Sequence, residues 1–414
     1  MNTASEPGTR LRVAMLMWAC APDREGGAEK QCRRIAVELK RQGIEVLIVT
    51  SLPFADAPAR EVWEGGTIVR LGRRVPLINR VIRWVRKRLA RTPSKALLFW
   101  LELPLQRIAR RCFLSEFRAW LRTDEARRVS VFHAHDAVWL SGLAVEAADV
   151  VGGVALGKAS SNYPLRPVGY DIPERRHWAA LRQRAAYIAP TEHLKNELMK
   201  KRIPEERTFV IPNGVTLPDV SSWNSEGAVL YVGNLSQGAD YKAFDVLFDA
   251  WRRVCAQRPD ARLSVLGGGE DAYWRSLVRE WGCAESVQFC GYQPDPARFY
   301  RDARCFVLPS RAEGMSNALL EAQAWGLPCV VSDIPANRAV VEDDANALIV
   351  PVGDAAALAD ALLRLAKDDS LCRRFGEAAR QNAERRFDIR IAATQLAEVY
   401  RHLLMRRAQK GGVA

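Results

Sequence analysis

Residues 12–50 read RVAMLMWACAPDREGGAEKQCRRIAVELKRQGIEVLIVT. The first eight, RVAMLMWA (12–19), form an apolar run that suits a buried strand. A loop, APDREGGAEK (21–30), follows. From about Glu29 to Arg41 a helix is expected, with Ile35, Ala36 and Leu39 inward. Gly43 ends it, and EVLIVT (45–50) is the next strand. Strand, glycine-rich turn, helix and strand make a βαβ unit. The same alternation continues outward. VSVFHAHD (129–136), GVALGKAS (153–160) and AYIAPTEHLKNELMKKR (186–202) each fit a strand or strand–helix unit. A new start follows near Phe209. AVLYVGN (228–234), ARLSVLGGG (261–269), SVQFCGY (286–292), RCFVLPS (304–310) and PCVVSD (328–333) read as strands. Between them, 244–257, YWRSLVREWG (273–282) and MSNALLEAQAWG (315–326) read as helices. This is an α/β chain with two doubly wound parallel sheets, and two such domains facing each other would enclose a central cleft. Ligands in such folds bind beyond the carboxyl ends of the strands.

Length and composition agree. The chain has 414 residues, 48% apolar and 26% charged, which excludes whole-chain disorder and small disulfide scaffolds. Its nine cysteines are scattered singly, without CxxC or His/Cys clusters, so reduced thiols and no structural zinc are expected. The most apolar stretch, 96–105, contains Glu102 and Pro104 and is far short of the about 20 residues of a membrane-spanning helix. Arg10 and Arg12 before an apolar run imitate a signal peptide. The run leads directly into the glycine loop, however, so it is read as the first strand.

The net charge of +13 is local. From Arg70 to Arg128 there are 17 Lys and Arg against four Asp and Glu, a net of +13. The other 355 residues carry 44 of each sign. Inside lies PLINRVIRWVRKRLAR (76–91), read as a basic amphipathic helix. Leu77, Val81, Val85 and Leu89, with Ile78 and Ile82, form its apolar side. Arg80, Arg83, Lys87 and Arg91 lie on the other, with Trp84 at the boundary. Two uses are open: packing on its own domain with a solvated basic face, or docking on an anionic membrane surface. Nucleic acid is not expected, because no helix-turn-helix, zinc-finger or RNA-binding signature is present.

The strongest constellation is SRAEGMSNALLEAQAWGLPCVVSD (310–333). Glu313 follows a strand and should face a cleft. Gly314, Met315, Ser316, Asn317, Ala318 and Leu319 open a new helix whose backbone N–H groups suit a phosphate. Glu321, one turn in, could accept hydrogen bonds from ribose hydroxyls. Two decoys fail. Gly152, Gly157 and Lys158 have P-loop spacing, but Ala159 stands where the magnesium-binding hydroxyl belongs. No GxSxG elbow supports a serine hydrolase.

With GGAE (26–29), HAHD (133–136), APTEHLKNEL (189–198), IPNGV (211–215), YVGNL (231–235) and LGGG (266–269), this constellation resembles the family 4 glycosyltransferases of the two-domain GT-B type, over about residues 10–400. The resemblance implies two Rossmann-like domains and transfer of a sugar from a nucleotide diphosphate-sugar to an acceptor hydroxyl, with retention of configuration. Gly26 and Gly27 then match the loop that approaches the donor diphosphate. His135 matches the active-site histidine, Lys242 the lysine that neutralises the pyrophosphate, Glu313 the acid on donor-sugar hydroxyls and Glu321 the ribose acid. Gly268 and Tyr292 match the wall of the base pocket. Asn234 departs from the pattern, because many relatives carry arginine there. No Asp-x-Asp occurs, so no metal or other cofactor is expected.

The expected domains are 1–208, acceptor-binding, containing the basic segment 70–128 and completed by a C-terminal helix within 388–414, and 209–387, donor-binding. The acceptor is expected to be a glycan or lipid-linked molecule in cell-surface polysaccharide or glycolipid synthesis. The expected location is cytoplasmic, peripheral on the inner face of the membrane. The rivals are a non-catalytic binder on a decayed scaffold and a nucleotide-sugar epimerase or phosphorylase of the same fold.

Overall fold

In the computed structural model, residues 11–18, 26–52, 54, 56–88, 95–137, 139–159, 180–220, 223–235, 240–269 and 271–411 are described. The opening strand is β1 (Arg12–Leu16), buried from its second residue on. Strand β2 (Glu45–Ser51) pairs with it in parallel, Val13 opposite Val46. Helix α1 (Gly27–Arg41) joins them and buries Cys32, Ile35, Ala36 and Leu39, the i, i+3, i+4, i+7 stripe of a helix lying on a sheet. It begins earlier than expected: Gly26 is its N-cap and Gly27 already lies in its first turn. Gly43 stops it in the left-handed region, at φ 80.

The chain divides into two compact units. The first takes residues up to Pro190, Leu194–Ile211 and everything from Ala393 on; the second takes Thr191–His193 and Pro212–Ala392. The first unit holds eight strands in the order β3-β4-β2-β1-β5-β6-β7-β8. Besides β1 and β2 these are β3 (Arg60–Trp63), β4 (Gly66–Leu71), β5 (Val131–Ala134), β6 (Val154–Lys158), β7 (Ala186–Ala189) and β8 (Thr208–Val210). All pair in parallel except the β3–β4 hairpin, which the sequence reading does not anticipate. The P-loop look-alike is strand β6 itself.

Two long helices follow β4: α2 (Val75–Arg88) and α3 (Lys95–Trp120). They pack on each other, and the Glu116 carboxylate accepts the Gly72 and Arg73 N–H groups at 2.8 Å each, which fixes where α2 starts. This start sets the rotation of α2 and corrects the expected face. Val75 and Ile82 are buried, with Ile78 and Val85 half-buried. Leu77, Val81 and Trp84 turn to solvent, 57%, 40% and 65% exposed, alongside Arg80, Arg83 and Lys87. Leu89 and Arg91 lie outside the described residues. Leu101 and Ile108 of α3 are also exposed. No described helix is long and apolar enough to cross a membrane.

The second unit holds six strands, all parallel, in the order β11-β10-β9-β12-β13-β14. They are β9 (Ala228–Val232), β10 (Leu263–Leu266), β11 (Val287–Gly291), β12 (Ala303–Leu308), β13 (Cys329–Ser332) and β14 (Ala347–Val350). The helix expected at 244–257 is Phe244–Gln257, burying Phe244, Leu247, Phe248, Trp251 and Val254. The sequence reading is silent between 334 and 384. This stretch supplies β14 and the helices Ala355–Lys367 and Asp369–Asn382, each N-capped by an aspartate, Asp354 and Asp368. The pattern of Ile391, Leu396, Val399 and Leu403 predicts a helix over 385–405, and the structure interrupts it near its start. A π-helical turn (Ala383–Phe387) comes first, Asp388 bridges to Val215, and the helix proper is Ile389–Gly411. The break has a steric reason, since Gly214 sits so close that a Cβ there would be 2.6 Å from the Ile389 Cα.

In both sheets the chain builds outward from one central strand and then returns to build the other side. The reversals fall between β1 and β5 and between β9 and β12. These switch points are where such sheets open a crevice at their carboxyl ends. At the second of them, Gly267 has φ 153, and a Cβ there would lie 1.7 Å from the Gly233 carbonyl oxygen. Gly267→Ala is therefore expected to destabilise the protein by about 2 kcal/mol or more, read by urea unfolding. An unchanged midpoint would mean that the two loops are not packed this closely.

Candidate functional site

In the second unit, the loops after β9, β10, β11 and β12 meet through backbone bonds. Gly233 N donates to Leu266 O (2.8 Å), Leu235 N to Gly268 O (2.8 Å) and Gly267 N to Gly291 O (2.9 Å). Asn234, Gly268 and Tyr292 are thus carried on one zippered rim. The Tyr292 Cβ would be 3.7 Å from a Cβ on Gly268, and both Asn234 and Tyr292 are exposed.

On the other side of β9, the Arg311 N–H donates to Tyr241 O at 2.7 Å. Arg311 also grips Asp245 (2.9 Å) and the Asp240 carbonyl (2.9 Å). This tie brings together two residues 71 apart in sequence: Lys242 Nζ lies 2.6 Å from Glu313 Oε1. The Ser310 hydroxyl donates to the same carboxylate oxygen at 2.8 Å. Lys242 is aimed by a sharp bend, because Ala243 has φ 55 and separates the short turn 240–242 from the helix that follows. Below the pair, Tyr231 is fully buried and its hydroxyl has no hydrogen-bond partner. Burial, and then the neighbouring Glu313, hold its pKa well above the usual tyrosine range.

Past Glu313, Ser316 caps the helix Asn317–Ala324, its hydroxyl accepting the Leu319 N–H at 3.4 Å. The Asn213 amide donates to Asn317 Oδ1 at 3.0 Å, and its N–H meets the Met315 sulfur at 3.2 Å. Gly314 and Met315 are buried, while Asn317 and Ala318 are half-buried at the helix start. Leu319 departs from its expected place on the donor: its side chain lies in the core and its N–H is taken by Ser316. Glu321 is buried and accepts the Tyr300 hydroxyl at 2.9 Å.

In the first unit, Gly26 and Gly27 open α1, with the Glu29 carboxylate folded back against Gly26. His133 and His135 point to the same face of β5, their rings 4.6 Å apart. Both are buried, at 1% and 7% exposure. His133 Nδ1 lies 2.7 Å from the Tyr400 hydroxyl, supplied by the closing helix. Burial first, and the Lys158 charge second, push His133 down to about 3. His135 is also held well below its usual value, by burial, then by His133 and Lys158. Both imidazoles are therefore neutral near pH 7, and neither Nε2 has a partner.

The sequence reading misses Ser310, Tyr231, Tyr300 and Tyr400 as partners of this chemistry. Only Tyr400 carries a periodic signal, one residue past Val399 on the inward stripe of the closing helix.

Residues 25–217 match the family described as Glycosyltransferase Family 4, and residues 226–368 match Glycosyl transferases group 1. The chain belongs to the family 4 glycosyltransferases. It is 35% identical over 200 residues to a phosphatidyl-myo-inositol mannosyltransferase of Mycobacterium leprae, covering 46% of this chain and 52% of the relative. It is 30% identical over 183 residues to the amylovoran biosynthesis glycosyltransferase AmsK of Erwinia amylovora, covering 42% and 45%. These matches span about half the length of the curated relatives. Among solved structures, sucrose-phosphate synthase from Thermosynechococcus elongatus aligns with TM-score 0.72 at 21% identity, covering 96% of this chain and all of that one. Anabaena HepE in complex with UDP aligns with TM-score 0.68 at 17% identity, covering 95% and 100%. These likenesses establish the fold, two Rossmann-like domains of GT-B type.

The buried histidines make a prediction for stability. A folded-state pKa below the unfolded value of about 6.5 gives stability that is present above that pH and is lost as pH falls toward 3. His133 alone should remove roughly 2 kcal/mol between pH 6.5 and 4.5. Urea unfolding at the two pH values should show a shallower loss in His133→Gln than in the wild type. Equal slopes would mean that His133 titrates normally.

Proposed function

We propose that this chain is a retaining glycosyltransferase that takes its donor as a nucleotide diphosphate-sugar on the second unit and its acceptor on the first. The observation that carries the reading is the Lys242–Glu313–Ser310 group, set at the second sheet's switch point next to the Ser316 helix start. A diphosphate leaving group develops negative charge as the glycosidic bond breaks. A fixed ammonium and a helix N-terminus stabilise that charge without a metal ion. Lys242 is neutralised by Glu313. A diphosphate would draw the ammonium toward itself and release carboxylate oxygens for sugar hydroxyls. Glu321, already anchored by Tyr300, is placed to accept ribose hydroxyls. The base rests against Gly268 and Tyr292, and Asn234 meets the diphosphate as a neutral donor in place of an arginine.

His135 supports the same reading. A neutral imidazole with an unmet ring nitrogen can hydrogen-bond a sugar or acceptor hydroxyl without adding charge. Gly26 and Gly27 let backbone N–H groups come close to a phosphate.

The acceptor is a glycan or lipid-linked molecule of cell-surface synthesis, and the enzyme works at the inner face of the membrane. Helix α2 supports this: Leu77, Val81 and Trp84 are exposed among Arg80, Arg83 and Lys87, apolar and cationic groups on one surface.

Two measurements test the proposal. A thermal-shift panel of UDP-, GDP-, ADP- and dTDP-sugars without added metal should select one nucleotide class, with the shift reduced in Glu321→Ala. With that donor, Glu313→Gln and Lys242→Met should each lower turnover about 100-fold with folding intact, in line with loss of a charged hydrogen bond in the transition state. Near-wild-type rates would remove them from the machinery. For the membrane, flotation with phosphatidylglycerol vesicles should fall about tenfold or more when Arg80, Arg83 and Lys87 become Gln, at ~1 kcal/mol per charge. It should also fall when Leu77, Val81 and Trp84 become Ser. Undiminished flotation in both sets would end the membrane reading.

A further inference from the structure

Lys158 is a half-buried cation at the edge of the first sheet. Lys158 is the last residue of β6, and Ala134 pairs with Gly157, so His135 and Lys158 leave the sheet side by side at its carboxyl edge. On its other flank Lys158 pairs with Ile188 of β7. The groups that face it are the imidazoles of His133 and His135 and the Cys32 thiol of α1. The two imidazoles are held neutral by burial. Among the described residues no carboxylate lies at ion-pair distance from its ammonium, and no hydrogen bond reaches it. Burial lowers its pKa to about 8, which still leaves most of the population charged at pH 7. Its side chain is half-buried, and an ammonium set back from bulk water with no anion beside it is placed to take an anionic ligand.

Two further groups at the same edge are unmet. His133 Nε2 and His135 Nε2 are buried without partners. The Tyr400 hydroxyl occupies the far side of His133, at Nδ1. With that hydroxyl donating to Nδ1, the proton sits on Nε2, which becomes a donor in need of an acceptor. One ammonium and the imidazole N–H groups beside it offer separate donors to one ligand. That suits the several oxygens of a phosphate better than the two in-plane oxygens of a carboxylate.

We propose that Lys158 binds a phosphate group at the carboxyl edge of the first sheet, with the neutral histidine pair completing the donor set. The phosphate has two sources, the diphosphate of a nucleotide donor or a phosphate carried by the acceptor. Its place in a reaction rests on the glycosyl-transfer reading, whereas the binding itself does not.

The test is a set of calorimetric titrations of wild type, Lys158→Met and Lys158→Arg. The probes are UDP, GDP, inorganic pyrophosphate, glycerol 3-phosphate and farnesyl phosphate. The Met variant should lose about tenfold or more in affinity for one class, and the Arg variant should keep most of it. Loss confined to the nucleotides and pyrophosphate assigns the contact to the donor; loss confined to the two monoesters assigns it to the acceptor. Equal affinities in wild type and Met variant, or no binding of any probe by the wild type, overturn the proposal. A check that needs no variant is limiting acetic anhydride at pH 7.5. Lys158 should be acetylated early in the wild type and protected by the bound probe, and absence of protection by every probe also overturns it. Failure of the transferase reading shows separately, as unchanged turnover in Glu313→Gln.

Discussion

A strand buried on both faces has little room along its length for a polar side chain. Strands β1, β5, β9 and β12 are of this kind, apolar almost throughout and covered above and below. The one place where such a sheet can present chemistry is its edge of strand ends. Most of the polar groups singled out above obey that constraint, with His133 inside β5 and Tyr231 inside β9 as the exceptions. Gly26 and Gly27 follow β1, His135 follows β5, Lys158 ends β6, Asn234 follows β9, and Ser310 and Glu313 follow β12. Parallel pairing then gives these ends one direction, so residues remote in sequence arrive at a common edge without any dedicated contact to gather them.

The two edges solve the electrostatics of burial differently. In the second unit the cation is matched: Lys242 and Glu313 neutralise each other, and the Arg311 N–H bond to Tyr241 O fixes the loops that carry them. In the first unit the charge is left standing, and the imidazoles around it are forced neutral by the same burial. A matched pair must exchange partners to bind, whereas an unmatched ammonium takes an anion without giving one up. One protein thus holds both a self-satisfied and an unsatisfied polar site.

Much of this was legible in the sequence because the signals are local. Apolar runs ending in glycine loops gave the strands, and the Glu313–Glu321 spacing around a helix start gave the centre of the candidate site. What was not legible depends on rotation or on distance. The face of α2 could not be read from periodicity, because Leu77 and Val81 fit the apolar stripe as well as Ile78 and Ile82 do. Only the Glu116 anchor decides which of them turns outward. The β3–β4 hairpin sat in a polar stretch whose alternation is short. The Tyr231 and Tyr400 hydroxyls look like ordinary core positions until their neighbours are known. Leu319 read as part of a phosphate-binding turn because a sequence does not say whether a backbone N–H is already taken.

The contact between His133 and Tyr400 spans 267 residues. Its consequence concerns the order in which the protein is made. A ribosome delivers the β5 histidines long before it delivers the helix that holds one of them. Until then the first sheet can assemble its strands, yet His133 Nδ1 lacks its hydroxyl partner. The second unit, synthesised in between, can complete its own core without waiting. The nascent first unit is therefore a scaffold with an unfinished edge until the Ile389–Gly411 helix is delivered. The timing of competence is written into the fold as a long-range hydrogen bond.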